Sequence, residues 1–191
     1  MLDDFFRSRA IQVTEGYSQQ VPEQVQDLKN LTVNSGLNVM EIGFNAGHSA
    51  EIFLRNPTLK LTSFDLGEHE YTKVGKEYID FVFPGRHKLI LGDSKVTVPK
   101  YPDEIFDIIF IDGGHDYNTA KADLENCMRF AHPGTIVIMD DTMYKDEWVA
   151  GWTEGPTQVW KEFVEQKKII QLATMDYTVG RGMSIGLYEK K

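Results

Sequence analysis

Short apolar stretches rich in β-branched residues alternate with segments of helical periodicity along most of this chain. Five strands are predicted, at residues 37–43, 59–66, 87–93, 106–112 and 134–141. Helices are predicted before, between and after them, at residues 21–36, 48–56, 71–83, 118–131 and 155–167. This alternation favours right-handed βαβ units and a parallel sheet, which excludes most all-helical and all-β architectures.

The last part of the chain changes this pattern. The stretches IIQLATM (169–175) and MSIGLYE (183–189) read as two strands joined closely enough for a hairpin. The earlier strands are almost continuously apolar, as expected for a sheet covered by helices on both faces. We therefore predict an α/β fold with a Rossmann-like, doubly wound, mostly parallel sheet of seven strands, one of them an antiparallel hairpin strand at the C-terminus.

Length and charge limit the organisation and the partners. The 191 residues suffice for one domain, predicted to consist of an N-terminal helical cap (1–36) and a Rossmann-like core (37–191). A net charge of −9 speaks against nucleic acid and suits a cationic small molecule or a metal ion, although most acidic proteins are simply soluble. The single cysteine, the acidic N-terminus and the lack of an apolar run of about 20 residues predict a cytoplasmic protein without a membrane partner. Homo-oligomerisation is left open.

The first predicted strand ends in the loop EIGFNAG, which contains Glu41, Gly43, Asn45 and Gly47. Glycines at such a turn allow positive φ angles and a close approach of the backbone to a ligand. Asn45 stands in the middle position, and asparagine is among the few other residues that tolerate left-handed backbone geometry. In open α/β sheets ligands bind at the carboxyl ends of the strands, so this loop is a candidate binding element.

The next two predicted strands also end in polar residues. Asp65 follows Gly43 by 22 residues, and an acid at that place can accept hydrogen bonds from ribose hydroxyls. The third strand ends in Gly92-Asp93-Ser94. Each acid alone is more simply a turn or helix-cap residue, but their alignment at successive strand ends predicts a nucleotide pocket. The loop spacing fits neither the G-x-G-x-x-G pattern of nicotinamide enzymes nor a P-loop.

Strands four and five end in Asp112 and in the pair Asp140-Asp141. Neighbouring strands lie roughly 4.8 Å apart, so these carboxylates should converge and repel each other unless a cation neutralises them. An all-oxygen cluster suits a hard divalent cation, first Mg²⁺ and then Mn²⁺ or Ca²⁺. The alternative is structural, with Asp112 as a helix cap and the pair holding a loop.

Together, the glycine loop, Asp65, Asp93 and the closing hairpin resemble the class I S-adenosylmethionine-dependent methyltransferases, from about Leu37 to the C-terminus. The loop departs from the family pattern because Asn45 replaces its middle glycine. The resemblance implies that Glu41, Gly43 and Gly47 line the methionine side of the cofactor, and that Asn45 also belongs to the cofactor-binding residues. It also implies that Asp65 holds both ribose hydroxyls and that Asp93 and Ser94 meet the adenine.

The acids after strands four and five are similar to the metal site of cation-dependent O-methyltransferases of the catechol, caffeoyl-CoA, macrocin and cephalosporin-hydroxylase-like types. The catechol type has asparagine in place of Asp141 and a lysine base in place of His115. The resemblance implies transfer of a methyl group to a small hydroxylated acceptor, a sugar or a vicinal diol. His115 is a candidate base near neutral pH, together with Asp112 in the catalytic site, although it could equally be structural or a metal ligand.

Three alternative functions are also compatible with the sequence. The alternatives are a metal-independent methyltransferase with His115 as base, a Rossmann oxidoreductase, and a cofactor-binding module without catalysis.

The segment 142–155 is long for a connection and carries Tyr144, Trp148 and Trp152, which predicts a lid over the metal unless the tryptophans only pack the loop down. The stretch EGYSQQVPE (15–23) could close the other side.

Overall fold

The computed structural model describes residues 1–14 and 20–189. The first half of the predicted segment 15–23 therefore lies outside the described residues. The strands are β1 (Asn38–Ile42), β2 (Lys60–Asp65), β3 (His87–Leu91), β4 (Phe106–Ile111), β5 (Ala131–Asp140), β6 (Ile169–Thr178) and β7 (Arg181–Tyr188). The helices are α1 (Leu2–Ser8), α2 (Pro22–Leu31), α3 (His48–Leu54), α4 (Glu70–Val82), α5 (Ser94–Lys100), α6 (Tyr117–Cys127) and α7 (Gly151–Glu165).

The seven strands form one sheet in the order β3-β2-β1-β4-β5-β7-β6. All neighbouring pairs are parallel except those of β7, which runs antiparallel to both β5 and β6. The predicted Rossmann-like sheet with one antiparallel hairpin strand is therefore confirmed. The strand order reverses between β1 and β4, so the carboxyl ends of these two central strands flank the crevice where such folds bind ligands.

Apolar layers cover both faces of the sheet, which explains why the central strands are apolar throughout. On β4, Ile108 and Phe110 point into the layer shared with α1 to α4, whereas Ile109 and Ile111 point into the layer formed with α6 and α7. Because successive side chains of a strand point to opposite faces of the sheet, β4 contributes to both apolar layers. Among the described residues, no helix combines the length and the apolar character that crossing a membrane requires.

Several boundaries differ from the sequence-based prediction. Helix α7 begins at Gly151 instead of residue 155, and the hairpin strands extend until only Val179 and Gly180 separate them. Helices α1 and α5 were not assigned from the sequence pattern. Helix α5 is short and contains Pro99, and it begins because the carboxylate of Asp93 caps it by accepting a hydrogen bond from the Lys95 amide (2.9 Å).

Candidate functional site

A cavity of about 880 Å³ opens at the carboxyl ends of the central strands. Eight of the residues predicted from the sequence line it, namely Gly43, Asn45, Asp65, Asp93, Ser94, Asp112, His115 and Asp141. The other three, Glu41, Gly47 and Asp140, lie outside this lining. Most of the predicted site residues thus share one cavity, and the role of each residue stays a prediction.

The loop after β1 passes directly against the end of β4. Gly43 has a φ of +93°, and a Cβ atom there would lie 1.8 Å from the carbonyl oxygen of Asp112. Only glycine permits this approach, which joins the two halves of the cavity. Asn45 has a φ of +50°, as expected for the left-handed position of the loop. Its Oδ1 is buried without a hydrogen-bond partner among the described residues.

Asp65 fastens this loop through its carboxylate. One oxygen accepts hydrogen bonds from the amides of Phe44 (3.0 Å) and Asn45 (2.7 Å), and the other accepts from the amide of Gly67 (2.7 Å). A carboxylate has about four acceptor positions, so about one remains for a ligand hydroxyl. Asp65 therefore shapes the loop as well as lining the cavity.

Glu41 lies beneath the loop with its side chain completely buried. Its two oxygens accept hydrogen bonds from the hydroxyls of Ser49 and Ser63. Burial raises the pKa of Glu41 to about 7, and the two serine hydroxyls only partly oppose the rise. The carboxyl group supports the loop from below instead of facing the cavity.

A second buried acid, which the sequence analysis did not single out, lies under the opposite end of the cavity. Asp123 on α6 is fully buried, and its carboxylate oxygens have no partner that meets hydrogen-bond geometry in the described chain. A Cβ atom at Gly113 would lie 2.9 Å from Asp123 Oδ2, which places this carboxyl behind the cavity wall. Burial raises the pKa of Asp123 to about 6, against the lowering effect of the Ser94 hydroxyl.

Three side chains at the ends of β4 and β5 could hold a metal ion. Asp112, His115 and Asp141 each offer one ligand atom, and these atoms lie within 4.8 Å of one another. Nε2 of His115 lies 2.9 Å from Oδ2 of Asp141, whose Oδ1 is buried without a partner among the described residues. Burial, followed by the charges of Asp140 and Asp141, raises the pKa of Asp112 well above its usual range.

Asp140, the third predicted ligand, has a different neighbour. Its Oδ1 accepts a hydrogen bond (2.6 Å) from Nε2 of Gln24, a fully buried side chain on α2. Burial and the charge of Asp141 raise the pKa of Asp140 to about 7, while Arg181 and Gln24 act in the opposite direction. The three-residue cluster contains His115 and not Asp140, so a ligand role for Asp140 stays a prediction.

The connection between β5 and α7 is fixed at several points. Asp176 on β6 accepts hydrogen bonds from the amides of Tyr144 and Lys145, and the Gly180 amide donates to the carbonyl of Trp148 (2.8 Å). Of the three aromatic residues predicted for a lid, only Trp152 lines the cavity, and its indole donates to the carbonyl of Gly180 (2.9 Å). These contacts match the packing alternative, and a lid function stays a prediction.

Residues 40–142 match the family described as the methyltransferase domain. The chain belongs to this methyltransferase family. The match runs from within β1 to just beyond β5, the segment that supplies most of the cavity. It confirms the class I S-adenosylmethionine-dependent methyltransferase resemblance. The oxidoreductase alternative gains no support from it. A comparison with curated proteins finds no match.

Solved structures of methyltransferases have the same fold. A Bacillus cereus O-methyltransferase in complex with S-adenosylhomocysteine has 19% identity and a TM-score of 0.75, and the alignment covers 98% of this chain and 90% of that one. A Klebsiella pneumoniae protein with a provisional O-methyltransferase assignment has 20% identity and a TM-score of 0.77, and the alignment covers 99% of this chain and 90% of that one. CalS11, a TDP-rhamnose 3'-O-methyltransferase of calicheamicin biosynthesis, has 20% identity and a TM-score of 0.63, with 88% of this chain and 78% of that one covered. At these identities the likeness extends to the fold alone.

Proposed function

We propose that this methyltransferase acts on a hydroxyl group of a small acceptor, with S-adenosylmethionine as donor and a divalent cation beside it. The observation that carries the proposal is one cavity with two chemically different halves. The ends of β1 to β3 supply a glycine loop and the carboxylate of Asp65, whereas the ends of β4 and β5 supply the metal-ligating cluster. The acidic net charge favours a small acceptor over nucleic acid.

The first half fits a nucleoside cofactor, which would supply an electrophilic methyl group. Asp65 retains acceptor capacity for a ribose hydroxyl, and Gly43 keeps the loop close to the cavity floor. The Oδ1 of Asn45, which has no partner among the described residues, offers a further acceptor in this half. Asp93 and Ser94, at the start of α5, line the far end, where the adenine would lie.

The second half fits a cation by its donor chemistry. Within the described part of the chain, the Oδ1 of Asp141 is buried without a partner, and the buried carboxylates repel each other. A bound cation would relieve both features. Two carboxylates and one imidazole suit Mn²⁺ or Zn²⁺ in addition to the Mg²⁺ favoured by oxygen donors alone. Such an ion would supply Lewis-acid polarisation of the acceptor hydroxyl.

His115 is the side chain of the cluster that could also move a proton. It lies 2.9 Å from a carboxylate oxygen of Asp141 through Nε2, and an imidazolium formed there would be stabilised by that carboxylate. In a metal-independent enzyme His115 would act as the general base, and with a cation it would be a ligand. The two roles give different responses to a chelator.

Transfer of labelled methyl groups to a panel of catechols and sugars tests the proposal. We expect transfer that EDTA abolishes and that Mg²⁺ or Mn²⁺ restores. Transfer that persists in EDTA and disappears in His115→Ala would contradict the requirement for a cation. It would support the alternative in which His115 is the general base of a metal-independent enzyme. The absence of S-adenosylhomocysteine binding would contradict the assignment of S-adenosylmethionine as the methyl donor.

A further inference from the structure

Arg181, the first residue of β7, is a cation on the wall of the cavity. Its guanidinium carries five N–H donors. Within residues 1–14 and 20–189 the group makes one hydrogen bond, from Nη2 to Oε1 of Gln24 at 3.3 Å, and its buried Nε has no acceptor. No carboxylate of the described chain forms an ion pair with it. The described residues therefore leave most of the hydrogen-bonding capacity of Arg181 unused.

The amide of Gln24 contacts both Arg181 and the carboxylate of Asp140. Nε2 of this buried amide donates to Asp140 and its Oε1 accepts from Arg181, so the amide lies between the carboxylate and the guanidinium. Helix α2 therefore bridges the two groups through one side chain, and no direct ion pair joins them in the described chain. Arg181 lines the same cavity as Asp112, His115 and Asp141.

We propose that Arg181 determines acceptor specificity by binding a carboxylate of the acceptor, so that the preferred substrates are hydroxylated acids and not neutral diols. A guanidinium binds a carboxylate through two parallel N–H···O bonds, for which Arg181 has the free donors. This inference rests on the function proposed above, because it assigns the second recognition group of the same acceptor.

The charges of the site set a condition for this preference. Asp112, Asp140 and Asp141 carry up to three negative charges, which Arg181 alone does not balance. With a divalent cation the formal sum becomes zero, and an acidic acceptor no longer enters a negative field. The preference for an acid is therefore expected only when the cation is present.

Calorimetry with S-adenosylhomocysteine and Mn²⁺ bound tests the proposal without turnover. The probes are 3,4-dihydroxybenzoate and its neutral amide, which differ only in the charged group. We expect the wild-type protein to bind the acid about 10- to 100-fold more tightly than the amide. Arg181→Met should remove this difference, Arg181→Lys should retain part of it, and Arg9→Met, at an exposed ion pair with Glu77, should leave it unchanged.

Several outcomes would overturn the inference. Equal affinity of the wild-type protein for both probes, or binding of neither, contradicts it without any variant. A parallel loss of S-adenosylhomocysteine affinity in Arg181→Met would assign the residue to the cofactor instead. Failure of the wild-type protein to bind S-adenosylhomocysteine would contradict the proposed function itself, whereas intact cofactor binding without acid preference contradicts only the role of Arg181.

Discussion

At the scale of single residues, the site combines buried acids with different tasks. Glu41 and Asp123 are enclosed behind the cavity wall, where their raised pKa values reflect burial. Asp65 is tied to three backbone amides, and Asp141 has an oxygen without a partner in the described chain. Asp65 therefore shapes the loop and keeps about one acceptor position for a ligand, whereas Asp141 offers a buried oxygen to a cation.

Glu41 gives a pH-dependent prediction for stability. Its pKa is raised from 4.5 to about 7, so the folded state binds the proton more tightly than the unfolded state. Glu41 therefore destabilises the fold progressively as the pH rises from about 4.5 through 7. Glu41→Gln, which resembles the protonated acid, should match the wild-type free energy of unfolding near pH 4.5 and exceed it by about 1–3 kcal/mol at pH 8.

Urea unfolding of both proteins across this pH range measures the difference. Because other titrating groups are common to the two proteins, their contributions largely cancel in the comparison. A difference that is the same at pH 4.5 and pH 8 would show that Glu41 does not titrate in the expected window.

At the scale of elements, the sequence predicted what periodicity and turn chemistry encode. The five parallel strands and the polar residues that follow them were found because a buried strand is apolar and a strand end is not. Helix α5 was missed because seven residues containing Pro99 show no helical period. Gln24 and Arg181 were missed because they are 157 residues apart in the sequence. A local sequence pattern does not predict a hydrogen bond over that separation.

The loop between β1 and α3 gives a prediction with an internal control. Gly43→Ala would place a Cβ atom 1.8 Å from the Asp112 carbonyl, whereas Gly85→Ala, also at a positive φ, would meet nothing within 4 Å. Both variants incur backbone strain of about 1–2 kcal/mol, but only Gly43→Ala adds a clash, so it should cost about 1–3 kcal/mol more. Equal melting temperatures of the two variants would contradict the close approach of the loop to β4.

The connection between β5 and α7 gives another prediction at this scale. Asp176→Ala removes the acceptor of two loop amides, those of Tyr144 and Lys145. Trypsin cleavage after Lys145 and amide hydrogen exchange in the loop should both become faster, while the affinity for S-adenosylhomocysteine should stay unchanged. Asp80→Ala, at an exposed ion pair with Lys76, serves as the control. Unaltered cleavage in Asp176→Ala would show that other contacts hold the loop.

At the scale of the whole molecule, the sheet order divides the work of the site. The strand order reverses between β1 and β4, so the first three strands present the glycine loop, Asp65 and Asp93 to one half of the cavity. Strands β4 and β5 present the metal-ligating cluster to the other half, and α2 and β7 complete it through Gln24 and Arg181. We therefore predict that the cofactor and the cation bind through separate sets of residues.

Calorimetric titration of two variants with two ligands tests this division most directly. Asp65→Ala should weaken S-adenosylhomocysteine binding by about tenfold or more, through the loss of a charged acceptor, and leave Mn²⁺ binding intact. Asp141→Ala should abolish Mn²⁺ binding and leave S-adenosylhomocysteine affinity within about twofold of wild type, with circular dichroism confirming that both variants fold. Mn²⁺ binding of Asp141→Ala at wild-type affinity, or a wild-type protein that binds no Mn²⁺, would contradict the account.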